Sequence, residues 1–170
     1  MNNDLLNNII RFIFLVTLQV LLLDHIQFGG FINPYLYIFF ILLLPFETPK
    51  ALLLVLAFIL GFTIDIFSNT YGLHAAATVF MTFWRPSILK RISSRQAYEP
   101  GMRPVLSDLG FMWVFFYSFI LISIHHCFLF FIEVFSFRDF WFTFGRSVFS
   151  ILFTLLLVML SQYFFFKKKK

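Results

Sequence analysis

In the stretch GFTIDIFSNTYGLHA, Gly61 to Ala75, an aspartate stands two residues before the end of the apolar run 51–67. A carboxylate at the centre of a membrane helix costs about 2.5–3.5 kcal/mol on insertion scales and less near the interface, so such a group normally faces a protein interior or a wet cavity. In a helix Gly61, Asp65 and Asn69 recur at four-residue spacing and Ser68 lies three on, which puts small and polar groups on the carboxylate's face. Two roles suit that pattern. Asp65 can bind backbone N–H groups of the turn at Ser68 or of the helix that begins near Leu73, or it can act as an internal polar lock or partner contact.

Other side chains suggest sharper chemistry and support it less. Asp24 and Asp65 both sit near segment ends, and a carboxylate pair sharing a proton can activate water, as in an intramembrane aspartyl hydrolase. The Asn-rich motifs of lipoprotein signal peptidases and the Gly-x-Gly-Asp of presenilin-type enzymes are absent. His125-His126-Cys127 with Glu133 contains metal-ligand types, but adjacent helical residues diverge by about 100°, and only His126 and Glu133 share a face. Gly145-Arg146-Ser147 lacks the glycine that follows a rhomboid nucleophile, and no phosphate-binding glycine loop occurs. The residues point to no enzyme, no metal and no cofactor.

The elements that must carry these residues are membrane helices. With 61% hydrophobic residues, 12% charged and mean hydropathy +0.90, the 170-residue chain falls outside the soluble class, where roughly 25% of residues are charged. Apolar segments fall at about 9–23, 31–46, 51–67, 73–84, 109–132 and 147–166, forming one polytopic domain with a basic loop at 85–108. The first has no small-x-small cleavage site and reads as a retained helix. The middle segments are short against the ~20 residues a span requires. Asn33-Pro34 and Thr48-Pro49 read as helix starts, Pro45 as a stop, and Gly29-Gly30 and residues 68–72 as turns. A single cysteine, Cys127, excludes an internal disulfide.

The net charge of +5 is clustered rather than spread: four of thirteen basic residues are Lys167 to Lys170, and five lie in the 85–108 loop. That pattern reads as membrane orientation and not as a nucleic-acid surface. Six crossings with both termini in the cytoplasm put eleven basic residues inside, against Arg138 and Arg146 outside. Making the second and fourth segments re-entrant moves only Lys50, so charge alone leaves four and six crossings open. The loop around Ile88 to Ile92 suits an anionic leaflet or a cytosolic partner. Phe135, Phe137, Phe140, Trp141, Phe142 and Phe144 form an aromatic connection that suits an interfacial belt or a partner contact, with Phe137 and Trp141 the candidates for the latter.

Gly61, Asp65, Gly72, Leu73 and His74, within closely spaced apolar segments, resemble the rod shape-determining MreD family, whose members carry a Gly-x-x-x-Asp segment end, a short turn and Gly-Leu-His or a similar entry to the next helix. The resemblance implies a noncatalytic subunit of the bacterial cell-elongation complex in the inner membrane, supporting peptidoglycan synthesis. The implied partners are an MreC-like protein and, in the wider complex, MreB, RodA and a penicillin-binding transpeptidase. It also implies an all-α, six-helix bundle similar to the substrate-binding components of energy-coupling factor vitamin transporters, which supplies the alternative function. Those components commonly engage their partner through Ala-x-x-x-Ala, whereas IRFIFLVTLQVLLL has no alanine.

Overall fold

A computed structural model describes residues 2–26, 31–92, 102–135 and 139–166. Phe137, Arg138, Lys167 to Lys170, the Gly29-Gly30 pair and Arg95, one of the five basic residues of the 85–108 loop, lie outside the described residues. The chain is all-helical, with no β-strand among the described residues. Its helices are α1 (Asn2–Leu21), α2 (Phe39–Leu42), α3 (Lys50–Ser68), α4 (Leu73–Ile92), α5 (Leu106–Leu109), α6 (Phe111–Val134) and α7 (Phe140–Phe166). Residues Leu5–His25, α3, α6 and α7 are long and apolar enough to cross a membrane, which makes this a multi-pass membrane protein. α4 has the length, 20 residues, but Thr78, Thr82, Arg85, Ser87, Lys90 and Arg91 dilute its apolar content.

Successive helices pack side by side: α3 on α4, α4 on α6, and α6 on α7, with α1 set against α3. The α3–α4 seam is close because of Gly61. A Cβ built there would lie 2.5 Å from Ala75 Cα and from the His74 carbonyl oxygen. Ala57 of α3 and Ala75 and Ala77 of α4 are also buried. In lipid, where apolar surface gains nothing by leaving hydrocarbon for protein, such small residues are what allow backbones to approach.

The second apolar segment departs from expectation. Residues 31–46 do not form a helix of membrane length: they enter extended, make a 3-10 turn at Leu36–Ile38, continue through the single turn α2, and leave through a bend. Every residue from Tyr35 to Leu44 is buried. Tyr37 reaches His125 of α6, while Leu42 meets Tyr117, eight residues earlier on the same helix and roughly 12 Å along it. The segment thus runs lengthwise inside the bundle, antiparallel to α6, and its side chains are the centre of the core.

Two further boundaries shift. α4 continues past Trp84 to Ile92, so the first eight residues of the expected 85–108 loop are helical and Arg85 is an interior residue. Pro86 sits within that helix, removing one donor and freeing the Thr82 carbonyl. α7 begins at Phe140 rather than near Ser147, which turns most of the aromatic connection into the helix's first turns.

Candidate functional site

Asp65 is nearly fully buried on the last turn of α3 and caps the helix that follows. Its Oδ1 accepts from His74 N–H at 3.0 Å and from the Thr70 hydroxyl at 2.5 Å, and its Oδ2 accepts from Ala75 N–H at 2.8 Å. The first N–H groups of a helix have no intrahelical acceptor and carry the positive end of its dipole, so a carboxylate is well matched to them. The turn folds back on the same residue: Asn69 adopts the left-handed conformation at φ 55°, and Thr70 N–H donates to the Asp65 carbonyl at 3.2 Å. Gly72, at φ +92°, redirects the chain into α4. Of the site residues expected from sequence, Gly61, Asp65, Asn69, Gly72 and His74 therefore meet at one helix junction. Trp141 does not join them; it is largely exposed on the first turn of α7.

Deeper in the bundle, polar side chains satisfy the irregular segment's backbone. Gln19 of α1 brackets it, donating from Nε2 to the Pro34 carbonyl at 2.9 Å and accepting at Oε1 from Tyr37 N–H at 3.3 Å. The Ser150 hydroxyl accepts from Asn33 N–H at 3.0 Å, and Thr154, one turn on, accepts from Tyr35 N–H at 3.1 Å. At the far end Tyr117 donates to the Leu42 carbonyl, and Arg85 Nη2 donates to that of Leu44. Non-helical backbone survives at membrane depth only where protein supplies such partners. Gln162 repeats the device at the other end of α7, donating to the Pro104 carbonyl and accepting from Leu106 N–H.

The Tyr37 hydroxyl is the hub of a second cluster, 2.7 Å from His125 Nε2, 3.0 Å from His74 Nδ1 and 3.2 Å from Thr78 Oγ1. The Thr78 proton already goes to the His74 carbonyl at 2.7 Å. Tyr37 has one proton to give, so at least one of the two imidazoles must donate to the phenol oxygen. His126 belongs to a separate chain: with Nδ1 protonated it donates to the Ile122 carbonyl, and its Nε2 accepts from Thr154. Both of its nitrogens are thereby used. Glu133 instead pairs with Arg146 at 3.1 Å, and Arg146 also lies 4.4 Å from the Phe130 ring centroid. With the Asn33 amide oriented oxygen toward Arg146, its oxygen accepts from Nη2 at 2.6 Å. No cluster of three metal-ligating side chains occurs among the described residues.

Asp24 makes its own bonds, accepting from Gln19 Nε2 at 2.7 Å and from the Ser68 hydroxyl at 2.9 Å. It lines a cavity of about 350 Å³ at the end of the bundle where α3 gives way to α4, together with His25, His74, Glu133 and Arg146. The residues sequence reasoning missed are Gln19, Ser150, Thr154, Tyr117 and Arg85. A signal was present in α7: Thr143, Ser147, Ser150, Thr154 and Gln162 follow helical spacing, and all are buried. Comparison with family models, with curated proteins and with solved structures returns no match.

Proposed function

We propose that this chain is a noncatalytic subunit of the bacterial cell-elongation complex, supporting peptidoglycan synthesis by packing against an MreC-like membrane protein, with MreB, RodA and a penicillin-binding transpeptidase in the wider assembly. The observation that carries the noncatalytic part is the state of Asp65. Its two oxygens bind three donors of the turn and helix that follow it, which suits a structural lock and leaves it poorly placed to activate water. The family part rests on the resemblance of GFTIDIFSNTYGLHA. A core filled by the chain's own residues 35–44 agrees with a rigid assembly body.

The proposed orientation has both termini in the cytoplasm of a bacterial inner membrane. The 31–46 segment and α4 then each complete a passage, and Tyr71, fully exposed at the α3–α4 turn, faces outward. The exposed aromatic face at Trp141 and Phe142 lies on that same side and is the proposed partner contact.

The second reading, a substrate-binding subunit of an energy-coupling factor transporter, draws on the cavity of about 350 Å³ beside Asp24, Glu133 and Arg146, which has room and charge for a small polar ligand. An aspartyl hydrolase is supported least, since Asp24 and Asp65 are each engaged with separate partners. A photocrosslinker at Trp141, followed by purification from native membranes, separates the first two readings. Capture of an MreC-like protein is expected. Recovery of an energy-coupling complex with a bound vitamin and no wall-synthesis protein would overturn the assignment.

A further inference from the structure

Arg85 is fully buried in α4, seven residues and about 10 Å from the helix end at Ile92. Its Nε donates to the Tyr117 hydroxyl at 2.8 Å and its Nη2 to the Leu44 carbonyl, but Nη1 has no partner and no carboxylate pairs with the guanidinium. One turn earlier the Thr82 hydroxyl is also buried and unpartnered. A buried cation without a counter-charge is disfavoured, and two orphaned polar groups on neighbouring turns of one helix mark a place where something polar is missing.

Both residues line adjoining grooves. Arg85 lines one of about 410 Å³ with Phe46, Lys50, Leu53, Leu89 and Lys90, and Thr82 lines another of about 160 Å³ that shares Lys50, Leu53 and Pro86. Among the described residues, no carboxylate lines either one. Three cations therefore line walls that are otherwise apolar apart from the hydroxyls of Thr48, Thr82 and Ser87, and Lys50 and Lys90 stand at the bundle end where α3 starts and α4 stops. The matching ligand is amphiphilic: a phosphate to meet the cations and a hydrocarbon chain to lie along Leu53 and Leu89.

We propose that this groove binds the phosphate of an anionic phospholipid, with Arg85 as the buried anchor and Lys50 and Lys90 as the outer clamp. The inference does not depend on the elongation-complex reading and holds for any function of the bundle. Nη1 is closed to solvent in this structure, so a phosphate oxygen takes it only as the groove side chains part, while the guanidinium's fixed fork of donors lets the bonds to Tyr117 and Leu44 persist. Because Arg85 also supports the irregular segment, its replacement can unfold the protein; the exposed Lys50 and Lys90 provide the cleaner test.

The full chain, purified and delipidated in a neutral detergent, is titrated with palmitoyl-oleoyl-phosphatidylglycerol, with the phosphatidylcholine of the same chains, and with inorganic phosphate alone. Native mass spectrometry and the melting temperature are read in each case. Phosphatidylglycerol is expected to give a one-to-one adduct and to raise the melting temperature. The Lys50→Ala/Lys90→Ala double variant should melt as the parent does without lipid, yet bind about 10- to 30-fold more weakly. Equal protection by phosphatidylcholine would overturn the charge argument. Equal protection by inorganic phosphate would replace the lipid with a free anion. Unchanged binding in the double variant would put the lipid elsewhere and overturn the site.

Discussion

Gly61→Ala should be among the most damaging single-methyl additions in this protein. The new Cβ would stand 2.5 Å from Ala75 Cα and the His74 carbonyl oxygen and 2.7 Å from Ala75 N, all backbone atoms of α4, whereas ordinary contact begins at 3.4 Å. No rotamer relieves a clash with backbone, so α4 must withdraw by about 0.9 Å. Asp65 rides on α3 one turn from Gly61. The same withdrawal would stretch its 3.0 Å and 2.8 Å bonds to His74 N–H and Ala75 N–H toward 3.7–3.9 Å, beyond hydrogen-bonding range. Each is a bond to a charged acceptor worth about 1.5–3 kcal/mol, so the substitution should cost about 3–6 kcal/mol. Gly72→Ala is the control: nothing lies within 4 Å of its Cβ position, and only the positive φ is strained, for about 1–2 kcal/mol. Equilibrium unfolding in mixed dodecylmaltoside–SDS micelles, followed by far-ultraviolet circular dichroism, measures both. A Gly61→Ala protein within about 0.5 kcal/mol of the parent, or no worse than Gly72→Ala, would refute the close α3–α4 seam.

Substitutions at three further positions probe the interior by the same unfolding assay. Gln19→Leu should cost about 2–4 kcal/mol, because it orphans the Pro34 carbonyl and Tyr37 N–H together; a cost near zero would mean that the irregular segment finds other partners. Thr154→Val keeps the shape but strands Tyr35 N–H and His126 Nε2, so it should cost about 1–3 kcal/mol, while Thr154→Ser should stay close to the parent; equal losses would indicate packing rather than hydrogen bonding. Asp65→Asn keeps one acceptor oxygen and should lose less stability than Asp65→Ala. An Asn variant that is folded, abundant and as inactive in cells as the Ala variant would point to proton chemistry instead.

Apolar length was a sufficient guide to α6 and to α7 from Ser147 onward, though not to α7's first turns from Phe140, and turn chemistry located the α3–α4 junction, because Asp, Asn and Gly act on their immediate neighbours. Residues 31–46 show where that logic stops. Hydrophobicity reports that a segment is buried, and a segment buried within protein need not be helical so long as its backbone groups are met. The groups that meet them, Gln19, Ser150, Thr154, Tyr117 and Arg85, lie far away in sequence, so no local window contains both halves of the bond. α4 failed in the opposite direction. Arg85 and Pro86 read as the start of a loop because charge and proline usually leave the hydrocarbon, yet the helix continues and Arg85 turns inward to the Leu44 carbonyl. Asp65 was legible as a polar group with two sets of backbone partners open to it, the turn at Ser68 or the helix near Leu73, and the folded chain has it bind the first N–H groups of that helix together with the Thr70 hydroxyl.

If the 31–46 segment passes through the bundle as an internal, mostly irregular stretch of chain, Tyr71 and Thr48 face opposite sides of the membrane. Single cysteines at Tyr71 and Thr48, each in a Cys127→Ser background, are exposed to a membrane-impermeant maleimide on intact spheroplasts and then after permeabilisation. The account predicts immediate labelling of Tyr71→Cys, and labelling of Thr48→Cys only once the membrane is opened. Labelling of Thr48→Cys from outside, with the basic residues of α4 still protected, would mean that the segment turns back within the membrane and would contradict the account.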